Sequence, residues 1–147
     1  MPLYSNFFYG IFRGDFSVDW DTDTIKVALF SQSASSFVTA TSAYTYWSQI
    51  GSGEITGTGY TASGQVLSSP SVSLVGYNPT RIKLTGSNIS WESSTLSARY
   101  AVLYKWTGNP ATSPLICHLD FGEQKTSSNG PFSLTWASSG IIVFSTA

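Results

Sequence analysis

Two hydrophobic periods divide the chain. Tyr4, Phe7, Phe8, Ile11 and Phe12 recur at i, i+3, i+4, i+7 and i+8, one face of a helix. Ser5 or Asn6 is placed to cap it, and Gly14 to end it with Arg13 in its last turn. Gly10 weakens it by about 1 kcal/mol relative to alanine. So short a helix is marginal alone. Its aromatic face must lean on the chain's own sheet or on a neighbouring chain.

After Asp23 the period becomes two. Ile25, Val27 and Leu29 alternate with Lys26, Ala28 and Phe30, which predicts a half-buried strand. A polar stretch, 31–41, follows. Tyr44, Trp47 and Ile50 fit a single helical turn, and Gly51, Gly53, Gly57 and Gly59 mark loops or bulges. Residues 66–75 are split by Pro70, predicting an edge strand or two short ones. Short strands are expected around Ile82–Leu84 and Asn88–Trp91. The longest carries Ala98, Tyr100, Val102, Tyr104 and Trp106 on one face. Ala101 and Leu103 lie on the other, so it reads as central and covered on both sides. Further strands are expected over 115–121, 132–136 and 141–144, separated by Thr107-Gly108-Asn109-Pro110, Asn129-Gly130-Pro131 and Ser139-Gly140. The expectation is a mainly β protein, an antiparallel β-sandwich or jelly-roll-like barrel with a short N-terminal helix. Residues 1–14 would form a helical arm and 15–147 a single domain, since 147 residues suit one core.

Composition sharpens this picture. Charged residues are 10% of the chain, against about 25% in typical domains. Serine and threonine make up 42 of the 147 residues, a surface that suits exposed strands better than exposed helices. A net charge of −1 with no basic cluster argues against nucleic acid as a partner. No apolar run approaches the ~20 residues of a membrane helix, so no membrane partner is expected either. The opening MPLYSNFFYGIFRGDF lacks the cationic start and clean apolar core of a secretory signal. One cysteine, Cys117, leaves no pair for an internal disulfide.

Candidate chemistry is thin. Asp15, Asp19, Asp21 and Asp23 include an Asp-x-Asp-x-Asp run that matches the start of a calcium loop. Thr24 and Ile25 follow instead of the glycine and later bidentate acid such a loop needs. Turn-forming carboxylates accepting backbone N–H bonds are the better reading. His118, the single histidine, follows Cys117, but neighbours on a strand face opposite ways and cannot share a proton. A Ser-His-Asp arrangement would have to use His118, with Asp120 as its same-face neighbour. Glu92 and Glu123 could form a glycosidase pair only if some 5–10 Å apart, and both fall in expected turns. Gly57-Thr-Gly-Tyr60 lacks the strand-before, helix-after setting of a nucleotide loop. No catalytic residue, metal site or cofactor is assigned. Trp20, Trp47, Trp91, Trp106 and Trp136 would serve the core, a platform for sugar rings, or a protein interface.

Several strings resemble small structural proteins of tailed bacteriophages and prophages. They are Asp19–Phe30 (DWDTDTIKVALF), Thr56–Thr61 (TGTGYT), Ser97–Tyr104 (SARYAVLY), Pro114–Gly122 (PLICHLDFG) and Ser127–Gly130 (SSNG). In those proteins the blocks follow a short N-terminal helix in this order, and the resemblance runs from about residue 4 to the end. It implies a β-rich virion component, with a capsid decoration (cement) protein the first expectation. It supplies no catalytic residues. The N-terminal helix is more aromatic and apolar here than in such proteins, which favours burial. The implied partners are the major capsid protein or other virion proteins and further copies of the chain, a trimer being favoured. The implied location is the virion, assembled in the host cytoplasm. Contacts with partners are expected through Tyr4, Phe7, Phe8, Ile11, Phe12 and Trp47, with packing on the chain's own sheet the equal alternative. A tail or fibre component binding host-surface glycans, and a small hydrolase built on His118, are the rival readings.

Overall fold

A computed structural model describes residues 1–145, so the last two residues of the expected 15–147 domain lie outside the described residues. The element order is α1 (Ser5–Arg13), β1 (Ile25–Phe30), α2 (Ser35–Val38), β2 (Gln65–Val66), β3 (Ser71–Val75), β4 (Arg81–Thr85), β5 (Ile89–Ser94), β6 (Ser97–Lys105), β7 (Leu115–Thr126), β8 (Gly130–Leu134) and β9 (Ile142–Ser145). Strand accounts for 41% and helix for 17%, and every sheet is antiparallel. The architecture is mainly β and sandwich-like with a short N-terminal helix.

The central sheet has the order β2-β1-β6-β7. β6 lies inside it, between β1 and β7, and Tyr100 to Tyr104 are all essentially inaccessible. Apolar residues on both faces of β1 and β6 follow from this double coverage. Part of the cover is not sheet. Trp47, in a single 3-10 turn, stacks on Tyr104 with ring centroids 4.3 Å apart and planes 6° from parallel. The expected polar stretch after Phe30 folds into a 3-10 turn and α2, which bury Ala34 and Val38. Gly64 has φ +80° and lies so close to β1 that a Cβ would stand 2.1 Å from the Val27 carbonyl oxygen. Only glycine lets the backbone pass there.

Two smaller sheets complete the body, β5-β8 and β3-β4-β9. They give Ile89, Trp91, Phe132, Leu134 and Ile142 to the same core. Pro70 does divide its segment into two short strands, and each is an edge.

The N-terminal segment is part of the body and not a separable arm. The Tyr4 amide donates to the Ile116 carbonyl, the His118 amide donates to the Pro2 carbonyl, and Leu3 bridges Cys117. Residues 2–4 thus add a short strand to β7. Gly14 ends α1 in the left-handed conformation with φ +77°, as its position suggested. Neither Ser5 nor Asn6 caps the helix; both reach across to carbonyls of Thr41, Ser42 and Tyr44. Gly10 has a packing cause: a Cβ there would lie 2.4 Å from the Phe16 ring. The close approach of that ring outweighs the helix-propensity penalty.

Candidate functional site

The aspartates form a turn that pins neighbouring elements. Asp23 accepts the Asp19 amide at 2.7 Å and pairs with Lys105 at 3.0 Å. Partial burial alone would raise its carboxyl, but the Asp19 amide and Lys105 outweigh that and hold it below its ordinary value. Asp21 accepts the Val72 amide at 2.6 Å, and the Trp20 indole donates to the Thr85 carbonyl at 2.9 Å. Loop 19–23 therefore fastens β3 and β4 to the body. Asp15 pairs with Arg13 at 3.4 Å on the surface. Among the described residues no three histidine, cysteine or acidic side chains gather where they could hold a metal ion.

His118 is buried with its ring edge-on to Tyr4 and Tyr100, centroids 5.9 and 6.4 Å away. Its Nδ1 has no hydrogen-bond partner. Burial holds the imidazole below its ordinary pKa, so it is neutral at neutral pH. Asp120 lies two residues along but is bound by Arg99 at 3.0 and 3.3 Å and by the Gly122 amide. Cys117 is fully buried, which pushes its thiol up to about 12. A thiol so placed is no thiolate nucleophile at neutral pH. Glu92 and Glu123 lie in strands β5 and β7, not in the expected turns. Each is exposed, Glu92 accepting from Ser90 and Glu123 pairing with Lys125.

The expected contact residues divide sharply. Tyr4, Phe7 and Trp47 are 0%, 8% and 5% exposed. They are committed to the chain's own core, and their assignment to a partner interface is corrected accordingly. A short amphipathic helix buries its stripe on the nearest apolar surface, and here that surface is intramolecular. Phe8 and Ile11 are half-buried, Phe8 edge-on to Phe144 of β9 at 5.8 Å. Phe12 is 86% exposed. Of the tryptophans, Trp20, Trp47 and Trp91 are buried. Trp106 lies under the Lys26 ammonium, 4.7 Å from its ring centre, and the Trp136 indole donates to the Ser87 carbonyl.

One polar cluster was missed by sequence reasoning. Half-buried Glu54 accepts from the Tyr60 hydroxyl at 2.5 Å and from the Ser63 amide at 3.0 Å. The Tyr60 oxygen accepts the Leu29 amide, and Tyr104 donates to the Ser63 carbonyl. Burial raises the Glu54 carboxyl, against the lowering pull of Tyr60, the Ser63 amide and Lys26. The cluster ties segment 54–64 to β1 and β6. The Gly57-Thr-Gly-Tyr60 run was its one visible trace, because a loop returning closely to a strand needs glycines.

The remaining surface feature is apolar. Val72, Leu74, Val75 and Tyr77 on and after β3 are 39%, 74%, 38% and 94% exposed. Between α1 and the three-stranded sheet runs a groove of about 460 Å³, lined by Phe8, Ile11, Trp20, Val72, Leu84 and Phe144 among others. No described helix is long and apolar enough to cross a membrane. Compared with protein-family models, curated proteins and solved structures, the chain matches none.

Proposed function

We propose that this chain is a non-enzymatic structural component of a tailed-bacteriophage virion. A capsid decoration protein seated on major capsid subunits is the first assignment. The observation that carries it is a sparsely charged, mainly β body that leaves large apolar side chains outside, with Phe12, Leu74 and Tyr77 the most exposed. Such side chains favour contact with other chains over solvent. The five sequence blocks quoted above point the same way. In a symmetric shell one modest contact is repeated many times, so each copy needs little apolar surface. The groups that a hydrolase would use support this reading too, since His118 makes no bond to Asp120 and Cys117 is held as a thiol.

The test is to find the chain in a particle. Virions from the phage or prophage encoding it should contain it in a fixed ratio to the major capsid protein. Electron cryo-microscopy should place its β body on the outer capsid face. Density on the tail would move the assignment to a tail component, and absence from purified particles would end the virion reading. Deleting Met1–Arg13 is a poor probe of attachment, because it also removes Tyr4 and Phe7 from the core. Phe12→Ser is the better one, and weaker particle attachment is expected from it.

A further inference from the structure

We propose that His118 is a proton-operated latch on the N-terminal strand: a proton on its ring makes residues 2–4 lift from β7 while the central sheet stays closed. The latch rests on an unpaired atom. Among the described residues, His118 Nδ1 is the one buried side-chain nitrogen or oxygen without a hydrogen-bond partner. The two tyrosines whose rings stand edge-on to it have spent their hydroxyls elsewhere. Tyr4 donates to the Val38 carbonyl and Tyr100 to Ser35 Oγ, each at 2.9 Å. A neutral ring leaves one polar atom unmet. A protonated ring would hold a positive N–H there with no acceptor, a far larger penalty in a buried site.

The charged groups around the ring are spent or of the wrong sign. The Met1 ammonium, on the N-terminal strand, opposes a second positive charge. β6 brings Tyr100 and the register partner Val102. β1 places Ala28 in the same row, and Lys26, two residues away, sits over Trp106. The turn 32–34 and α2 carry no charged residue. On β7 itself Cys117 lies on the opposite face. Asp120 shares the face, but its Oδ1 accepts from Arg99 and the Gly122 amide and its Oδ2 from Arg99 again. Burial outweighs its attraction.

What gives way is set by how each neighbour is held. β6 lies between β1 and β7 and cannot move without breaking the central sheet. The N-terminal strand is an edge, joined to β7 by the Tyr4 amide on the Ile116 carbonyl at 2.9 Å and the His118 amide on the Pro2 carbonyl at 3.0 Å. His118 thus holds that strand through its own backbone. α1 beyond it has separate ties, from Ser5 to Thr41 and from Asn6 to Ser42. A short terminal strand is the low-energy opening of such a fold. Once it lifts, Tyr4 leaves the ring and water can solvate the charge. The opened ring titrates near its ordinary 6.5, above its value in the closed chain. Below 6.5 each pH unit favours the open form by up to about tenfold, until the closed form takes the proton too. The device does not depend on the virion reading.

Amide hydrogen exchange of the full chain, read residue by residue by NMR as protection factors, tests this between neutral pH and about pH 5. The amides of Tyr4 and of residue 118 report the strand, and those of β1 and β6 report the central sheet. Protection at the first two is expected to fall at least about tenfold over that range while the central sheet keeps its own. His118→Gln and His118→Phe should each abolish the fall. Protection at the two amides that ignores pH overturns the proposal. So does a fall shared equally by β1 and β6, which is global unfolding. A fall that survives both substitutions overturns it as well. Should neither variant fold, the imidazole nitrogen shifts of the wild type decide. Ring protonation with the same midpoint as the loss of protection supports the latch, and a different midpoint overturns it.

Discussion

β1 with β6 and β3 with β4 are both antiparallel pairs with alternating sequences, yet they live in different environments. In β1 every side chain except Lys26 is buried, and Ala98 and Tyr100–Tyr104 of β6 are buried too. In β3 all five residues are exposed, and in β4 none is fully buried. Alternation makes a strand in both cases. The difference lies in what covers it. The central pair is enclosed by Trp47, Val38, Ile50 and the Glu54 cluster on segment 31–64, besides the other sheets. The outer pair has α1 over part of one face and solvent over the rest, and it hangs on the Asp21 and Trp20 hydrogen bonds. Buried side chains are concentrated in the first region and exposed apolar ones in the second.

This contrast can be broken at its strong end first. Trp47→Ala empties the space against Tyr104 and Phe30. The expected loss is about 3–5 kcal/mol in chemical denaturation, a large share of a domain's total stability. A loss under about 1 kcal/mol would show that segment 31–64 does not hold the central sheet. Gly64→Ala tests the same enclosure through the backbone. With the Val27 carbonyl in the way and φ at +80°, it should cost more than Gly14→Ala, where a Cβ meets nothing and only the left-handed conformation is penalised, by about 1 kcal/mol. Equal costs at the two sites would contradict the close approach.

The next effect is a pH dependence. His118 has its pKa lowered in the fold, so the unfolded chain binds the proton more readily. Its contribution is complete above the ordinary value of 6.5 and is lost as pH falls from there toward the folded value. Asp23 is also lowered, but from 3.8, so its contribution fades only at more acid pH. Glu54 has the opposite sign: being raised, it favours the fold most below the ordinary 4.5 and loses that advantage as pH rises through its folded value. Replacing His118 by Phe should remove the decline of stability between neutral pH and pH 5 in urea midpoints measured across that range. A decline of unchanged size would locate it elsewhere.

Smallest of all, Leu74→Lys should change monomer stability by no more than about 0.5 kcal/mol, since the side chain is 74% exposed. A larger loss would mean that the outer sheet carries part of the core.

Much of the fold was legible because period and punctuation are local properties. The helix ending at Gly14, the split at Pro70 and the central, twice-covered β6 could all be read from spacing. The turn at Trp47 was legible too, but not its destination against Tyr104, because stacking partners 57 positions apart share no local signal. Glu54 was invisible for the same reason: its partners Tyr60 and Ser63 look like ordinary loop residues until the loop folds back on β1. Gly10 was read as a weakness in the helix, and the Phe16 ring against it was outside any periodic pattern.

By itself, then, the chain's alternation of apolar and polar residues determined strands, turns and a helix with one greasy face. It could not determine which surface that face would meet. Tertiary structure decided that Tyr4, Phe7 and Trp47 serve the interior while Leu74, Tyr77 and Phe12 stay outside. The reason is that burial depends on what else arrives at the same place, and a side chain's hydrophobicity is blind to its distant neighbours.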